Sequence, residues 1–123
     1  MQACVGAAAG STRIVANGEM SNRVSSDGTC ERSVVTLDEL LPDSRHAFIK
    51  MDIEGSEFAA LRGAERILAE GKAIWAITLY HKLGDLWTIP LYIKSNLPKS
   101  KIYLRRYAEA FWETRLYVLP EAM

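Results

Sequence analysis

Hydrophobic positions along this chain are sparse and locally patterned before residue 47 and dense after it. Residues 47–51 (Ala-Phe-Ile-Lys-Met) predict a strand, and a polar loop, Asp52-Ile53-Glu54-Gly55-Ser56-Glu57, follows at once. Residues 57–70 predict the clearest helix. Phe58, Ala60, Leu61, Ala64, Ile67 and Leu68 share one broad face at helical spacing, with Arg62, Arg66, Ala69 and Glu70 opposite and Gly71 as the stop. Residues 72–81 are near-continuously apolar, which predicts a strand covered on both faces. Strand, helix and strand over 47–81 make a βαβ unit, with parallel strands and a right-handed crossover.

Beyond this unit, residues 85–96 predict a helical stretch that Pro90 kinks or splits in two. Strands over 101–107 and 114–119 are close enough in sequence to form a hairpin, so they are antiparallel. Before residue 47 the signals are short. Residues 11–16 predict a strand closed by an Asn17-Gly18 turn, 19–32 a polar loop, and 33–35 a second strand. Thr36 and Glu39 form a capping box over a helix at 37–41, which Pro42 ends. The expected fold is α/β, with a mostly parallel sheet that has one reversed strand near its edge.

Composition sharpens the division. All three Trp, five Tyr and three Phe lie at or after Phe48, so the aromatic core belongs to 47–123 and residues 1–46 read as an N-terminal covering segment of the same single domain, 1–123. Fifteen basic against fifteen acidic side chains leave no net charge, which argues against a nucleic-acid partner. No apolar run approaches the ~20 residues of a membrane span, and no secretory leader opens the chain. Two cysteines, Cys4 and Cys30, read as reduced thiols of a cytoplasmic protein.

Three groups of residues carry candidate chemistry. Asp52, Glu54, Ser56 and Glu57 lie where a parallel strand gives way to a helix, the rim at which open α/β sheets bind ligands. Carboxylates there suit general-base work or metal binding, and they equally suit a plainly capped helix start. Tyr80-His81-Lys82 ends the next strand, so His81 shares the rim with Asp52 and is a candidate base; a lone histidine closing a strand is the plainer alternative. The βαβ connection places the two segments on neighbouring strands, so Asp52 and His81 are expected within ~10 Å of each other. Arg105, Arg106, Lys99 and Lys101 form a basic group on the late hairpin, suited to an anionic substrate group or to a solvated sheet edge. There is no Walker loop and no zinc spacing, and Gly6 to Gly10 precedes a strand rather than joining strand to helix.

These residues together resemble a known family. Thr36-Leu37-Asp38-Glu39-Leu40, then Phe48-Ile49-Lys50-Met51-Asp52-Ile53-Glu54-Gly55-Ser56-Glu57 and Leu61-Arg62-Gly63-Ala64, are similar to the signature of FkbM-type methyltransferases; Tyr80-His81-Lys82, Asp85-Leu86-Trp87 and Leu104-Arg105-Arg106-Tyr107 resemble its later half. The resemblance implies a class I, Rossmann-like fold that uses S-adenosylmethionine for methyl transfer, commonly to a hydroxyl of a small molecule or carbohydrate. The strands at 47–51, 72–80, 101–107 and 114–119 would be that fold's fourth to seventh. It implies Asp52 and His81 as catalytic residues, Asp52 and Glu54 against the cofactor, Glu57, Tyr80 and Arg105 against substrate, and no metal. The glycine-rich loop that normally holds such a cofactor is not found in these 123 residues, so the chain reads as the C-terminal half of the fold, with weak cofactor affinity. Two other readings stand beside it: a non-catalytic truncated copy, and a metal-dependent hydrolase using Asp52, Glu54 and His81. The strand at 47–51 is expected to have an open edge that exposes Phe48, Ile49 and Met51. Either the segments 11–16 or 33–35 cover it or two chains pair there, and pairing is the expectation.

Overall fold

Strand-forming residues in both parts of the chain assemble into two separate four-stranded sheets in the computed structural model, which describes residues 2–16, 22–109 and 112–121. The first sheet uses β1 (Cys4–Val5), β2 (Gly10–Val15), β3 (Arg23–Val24) and β4 (Cys30–Val35), in the order β1-β4-β2-β3. The N-terminal segment therefore does not lie along the core sheet; β2 and β4 pair with each other, antiparallel, over five residue pairs. Two-residue β1 and β3 carry too little periodicity to be read from sequence, and β4 begins three residues before the expected strand. The Asn17-Gly18 turn lies outside the described residues.

Thr36 caps α1 (Leu37–Leu40) by the expected capping box: Glu39 N–H donates to Thr36 Oγ1 at 3.1 Å and Thr36 N–H donates to Glu39 Oε2 at 2.9 Å. The second sheet follows, built from β5 (Phe48–Met51), β6 (Ile74–Thr78), β7 (Lys101–Arg106) and β8 (Thr114–Leu119) in the order β5-β6-β8-β7. β5 and β6 are parallel, and β8 runs antiparallel to both β6 and β7. Three of the four strands thus point one way, with the reversed strand one place in from the edge. Because it lies inside, two of the three hydrogen-bonded pairs are antiparallel and the sheet is mixed.

The expected single helix over 57–70 is two: α2 (Glu57–Arg62) and α3 (Glu65–Glu70). The interruption is imposed from outside. The Gly63 carbonyl accepts from Asp38 N–H at 3.0 Å, and a Cβ on Gly63 would stand 2.1 Å from the Gly6 carbonyl oxygen. Glycine here lets the first sheet and α1 approach the helix break, at the cost of helix continuity. Asp38 completes the seam by accepting from the amides of Arg66 and Ile67, at 2.9 and 3.1 Å. By contrast α4 (Asp85–Asn96) is one helix despite Pro90.

All three of these helices pack on one face of the second sheet. Ile49, Met51, Trp75, Ile77, Leu116 and Val118 point into that core, together with Leu61, Ile67, Leu68, Ile89 and Ile93. This corrects the expected exposure along β5. Ile49 and Met51 are 7% and 3% exposed, and of the three apolar side chains only Phe48, at 63%, meets solvent. An open edge bares backbone groups and leaves the inward-facing side chains covered. β5 has one hydrogen-bonded neighbour, β6, among the described residues. No helix of the described residues is long and apolar enough to cross a membrane, and Cys4 and Cys30 are both free thiols.

Candidate active site

Parallel register places the ends of β5 and β6 side by side: Met51 pairs with Ile77, so Asp52 and Thr78 leave the sheet together. The 52–57 loop then turns sharply. Glu54 and Gly55 both take positive φ, 55° and 94°, and a Cβ on Gly55 would lie 3.1 Å from the Lys82 Cε. Glycine is needed at that second position, and the strained turn swings the loop back over the end of β6. The helix-capping alternative for these residues fails locally, since Ser56 makes no side-chain cap bond.

Glu57 lies beneath the loop with no solvent exposure. Its Oε1 accepts from Ile53 N–H at 3.0 Å and from Thr78 Oγ1–H at 3.0 Å, and it lies 2.7 Å from His81 Nδ1. A carboxylate is an acceptor only, so the short contact is satisfied when Nδ1 carries the proton. In the neutral imidazole, Nε2 would then be the nitrogen that keeps its lone pair. It faces Asp52 Oδ1 at 3.6 Å and Glu54 Oε2 at 3.5 Å, and no hydrogen bond to it forms among the described residues. Asp52 and His81 thus lie well inside the expected separation.

Tyr80 packs its ring against His81, with centroids 4.4 Å apart, and its hydroxyl donates to Asp52 Oδ1 at 3.3 Å. Burial first, and then the Asp52 charge, push its phenol above the ordinary range. Asp85, in the first turn of α4, is 5% exposed. Burial, then the neighbouring Glu57 charge, raise its carboxyl, and its Oδ2 has no partner among the described residues.

Two residues expected against substrate lie away from the open rim. Glu57 is enclosed, with its Oε1 2.7 Å from His81 Nδ1. Arg105 shares the rim only at a distance: register runs from Thr78 to Arg115 to Arg105, two strands away, or about 9–10 Å at the backbone. Its guanidinium stacks on Tyr103 and donates to the Leu104 carbonyl, outside the Asp52–His81 cluster. Thr78, absent from the expected site, is part of it. The signal available in the sequence was a lone hydroxyl ending the otherwise apolar run Ile74-Trp75-Ala76-Ile77.

One donor atom each from Asp52, Glu57 and His81 lies within 4.8 Å of the others. A cation held by all three would compete with the 2.7 Å contact between Glu57 and His81; the set named for a metal-dependent hydrolase is a different one, with Asp52 and Glu54 facing His81 Nε2.

The methyltransferase FkbM domain model matches residues 3–96. The chain belongs to the FkbM methyltransferase family. Among solved structures it is similar to a methyltransferase FkbM from Methylobacillus flagellatus KT, with 34% identity and a TM-score of 0.71 over 94% of this chain. The FkbM segment described here spans 27% of the length of that relative. No curated protein matches the chain.

Proposed function

We propose that this chain carries the acceptor side of a class I, Rossmann-like methyl transfer, with S-adenosylmethionine as methyl donor and a hydroxyl of a small molecule or sugar as acceptor. The observation that carries this reading is the contact of buried Glu57 with His81 Nδ1, which would leave the Nε2 lone pair of a neutral imidazole at the carboxyl rim of β5 and β6. The residues present fit one end of that cofactor. Asp52 and Glu54 set two partly exposed carboxylates at the rim, which favours a sulfonium cation. No glycine-rich turn from strand to helix among the described residues cradles an adenosine.

When bound, the cofactor supplies an electrophilic methyl carbon. His81 Nε2 would take the proton of the acceptor hydroxyl as that oxygen is methylated. Tyr80 holds Asp52 in place through its hydroxyl, and Asp52 and Glu54 border the line of approach. Positioning contributes most to such an in-line displacement, and the base contributes about 10²–10⁴-fold.

The test uses S-adenosylmethionine with a deuterated methyl, at millimolar concentration, and trans-1,2-cyclohexanediol as acceptor. The expected product is the labelled monomethyl ether, and His81→Ala should lower its rate by about 10²–10⁴. Calorimetry should show only millimolar cofactor affinity. Absence of labelled ether, or transfer by His81→Ala at the parent rate, would contradict the proposal and favour a non-catalytic copy.

A further inference from the structure

An open cavity of about 320 Å³ lies between the first sheet and the loop that carries Asp52. Val5, Ile14 and Val24 come from three strands of the first sheet, and Ile53, Asp52 and Glu54 come from the loop. No Lys, Arg or His among the described residues lines it. With Asn22 and Cys4 also on the N-terminal side, that wall is mainly aliphatic with one amide, and the loop wall carries the two carboxylates. Glu54 contributes to this wall and its Oε2 also lies 3.5 Å from His81 Nε2, so one side chain borders both the cavity and the proposed base, which does not itself line the cavity.

Resting on the reading above, we propose that this cavity is the acceptor site and that it selects an apolar-bodied hydroxyl compound that is neutral or cationic, excluding phosphorylated and carboxylated acceptors. Three observations converge. The volume holds roughly ten waters' worth of ligand, near the lower end of small-molecule sites, which suits a ring of acceptor size. Branched aliphatic side chains offer a face for a carbon ring. Two carboxylates with no neighbouring lining cation repel an anionic group and attract a hydroxyl donor or an ammonium. The N-terminal sheet then has a function beyond covering: Ile14 and Val24, an antiparallel pair across β2 and β3, shape the acceptor wall.

Three probes of one shape test this in the full chain: trans-2-aminocyclohexanol, trans-1,2-cyclohexanediol and trans-2-hydroxycyclohexanecarboxylate, titrated while methyl resonances are followed by NMR. Binding needs no cofactor and no turnover, so its outcome is independent of the transfer assay. The amino alcohol and the diol should move the methyls of Val5, Ile14, Val24 and Ile53, and the amino alcohol should bind about tenfold or more tightly than the carboxylate. In Asp52→Asn/Glu54→Gln this difference should fall to about twofold or less, while the remaining methyl spectrum shows the fold intact. Equal binding of the carboxylate, no shifts from any probe, or shifts centred on other residues would each overturn the proposal. So would S-adenosylhomocysteine moving the same four residues at lower concentration than the probes, which would assign the cavity to the cofactor.

Discussion

Glu57→Ala should destabilise the fold by about 3–6 kcal/mol, far more than the loss of any exposed carboxylate in the same loop. Glu57 is fully buried, and one of its oxygens serves Ile53 N–H, Thr78 O–H and His81 Nδ1 together. Truncation takes a partner from one buried and two part-buried polar groups, each costing about 1–3 kcal/mol when buried and unpaired, and leaves a cavity under the loop. A domain of ordinary stability has only about 5–15 kcal/mol in hand, so the variant should be partly unfolded at moderate temperature. Glu57→Gln keeps the volume and one acceptor oxygen and should cost clearly less. Glu54→Gln, at a partly exposed position, should fall within about 0.5 kcal/mol of the parent. Urea unfolding followed by tryptophan fluorescence checks the series. Equal losses for the Glu57 and Glu54 variants would contradict the buried bonding pattern.

The second large effect is on association. β5 ends the core sheet with Phe48 63% exposed, and neither β2 nor β4 pairs with its outer edge. A row of unpaired backbone donors and acceptors beside an exposed aromatic ring is a template for strand addition. We propose that two chains pair through β5, and sedimentation at tens of micromolar should show a dimer or larger species. Phe48→Lys removes the apolar anchor and places a charge on the edge, so it should weaken association about tenfold or more. A well-folded monomer of the parent chain at that concentration would contradict the proposal.

The parts of this account that were legible in the sequence are those governed by local periodicity and chain direction. The apolar runs at 47–51 and 72–81 place β5 and β6, and a parallel pair necessarily brings Asp52 and the segment ending in His81 to one rim. The Thr36–Glu39 box and the antiparallel pair β7–β8 were readable for the same reason. What was not legible depends on distant partners. The helix breaks at Gly63 because Gly6 and Asp38 approach it, and no feature within 57–70 records that approach. Glu57 reads as a rim carboxylate by its position at a helix start, yet the positive-φ turn at Glu54–Gly55 rolls the loop over it and buries it against Thr78 and His81. Residues 1–46 lack aromatic residues, and that they form a sheet of their own was not legible because its strands are short and pair only among themselves.

The claim on which the site rests is that Glu57 fixes the His81 tautomer and leaves Nε2 free. Long-range proton–nitrogen correlation NMR on the chain with labelled histidine, assigned through His81→Gln, reads this directly at about pH 8, where an ordinary imidazole is neutral. A protonated, pyrrole-type Nδ1 with an unprotonated, pyridine-type Nε2 is the expected spectrum. A His81 that carries its proton on Nε2, or averages between both nitrogens as a free imidazole does, would contradict the account.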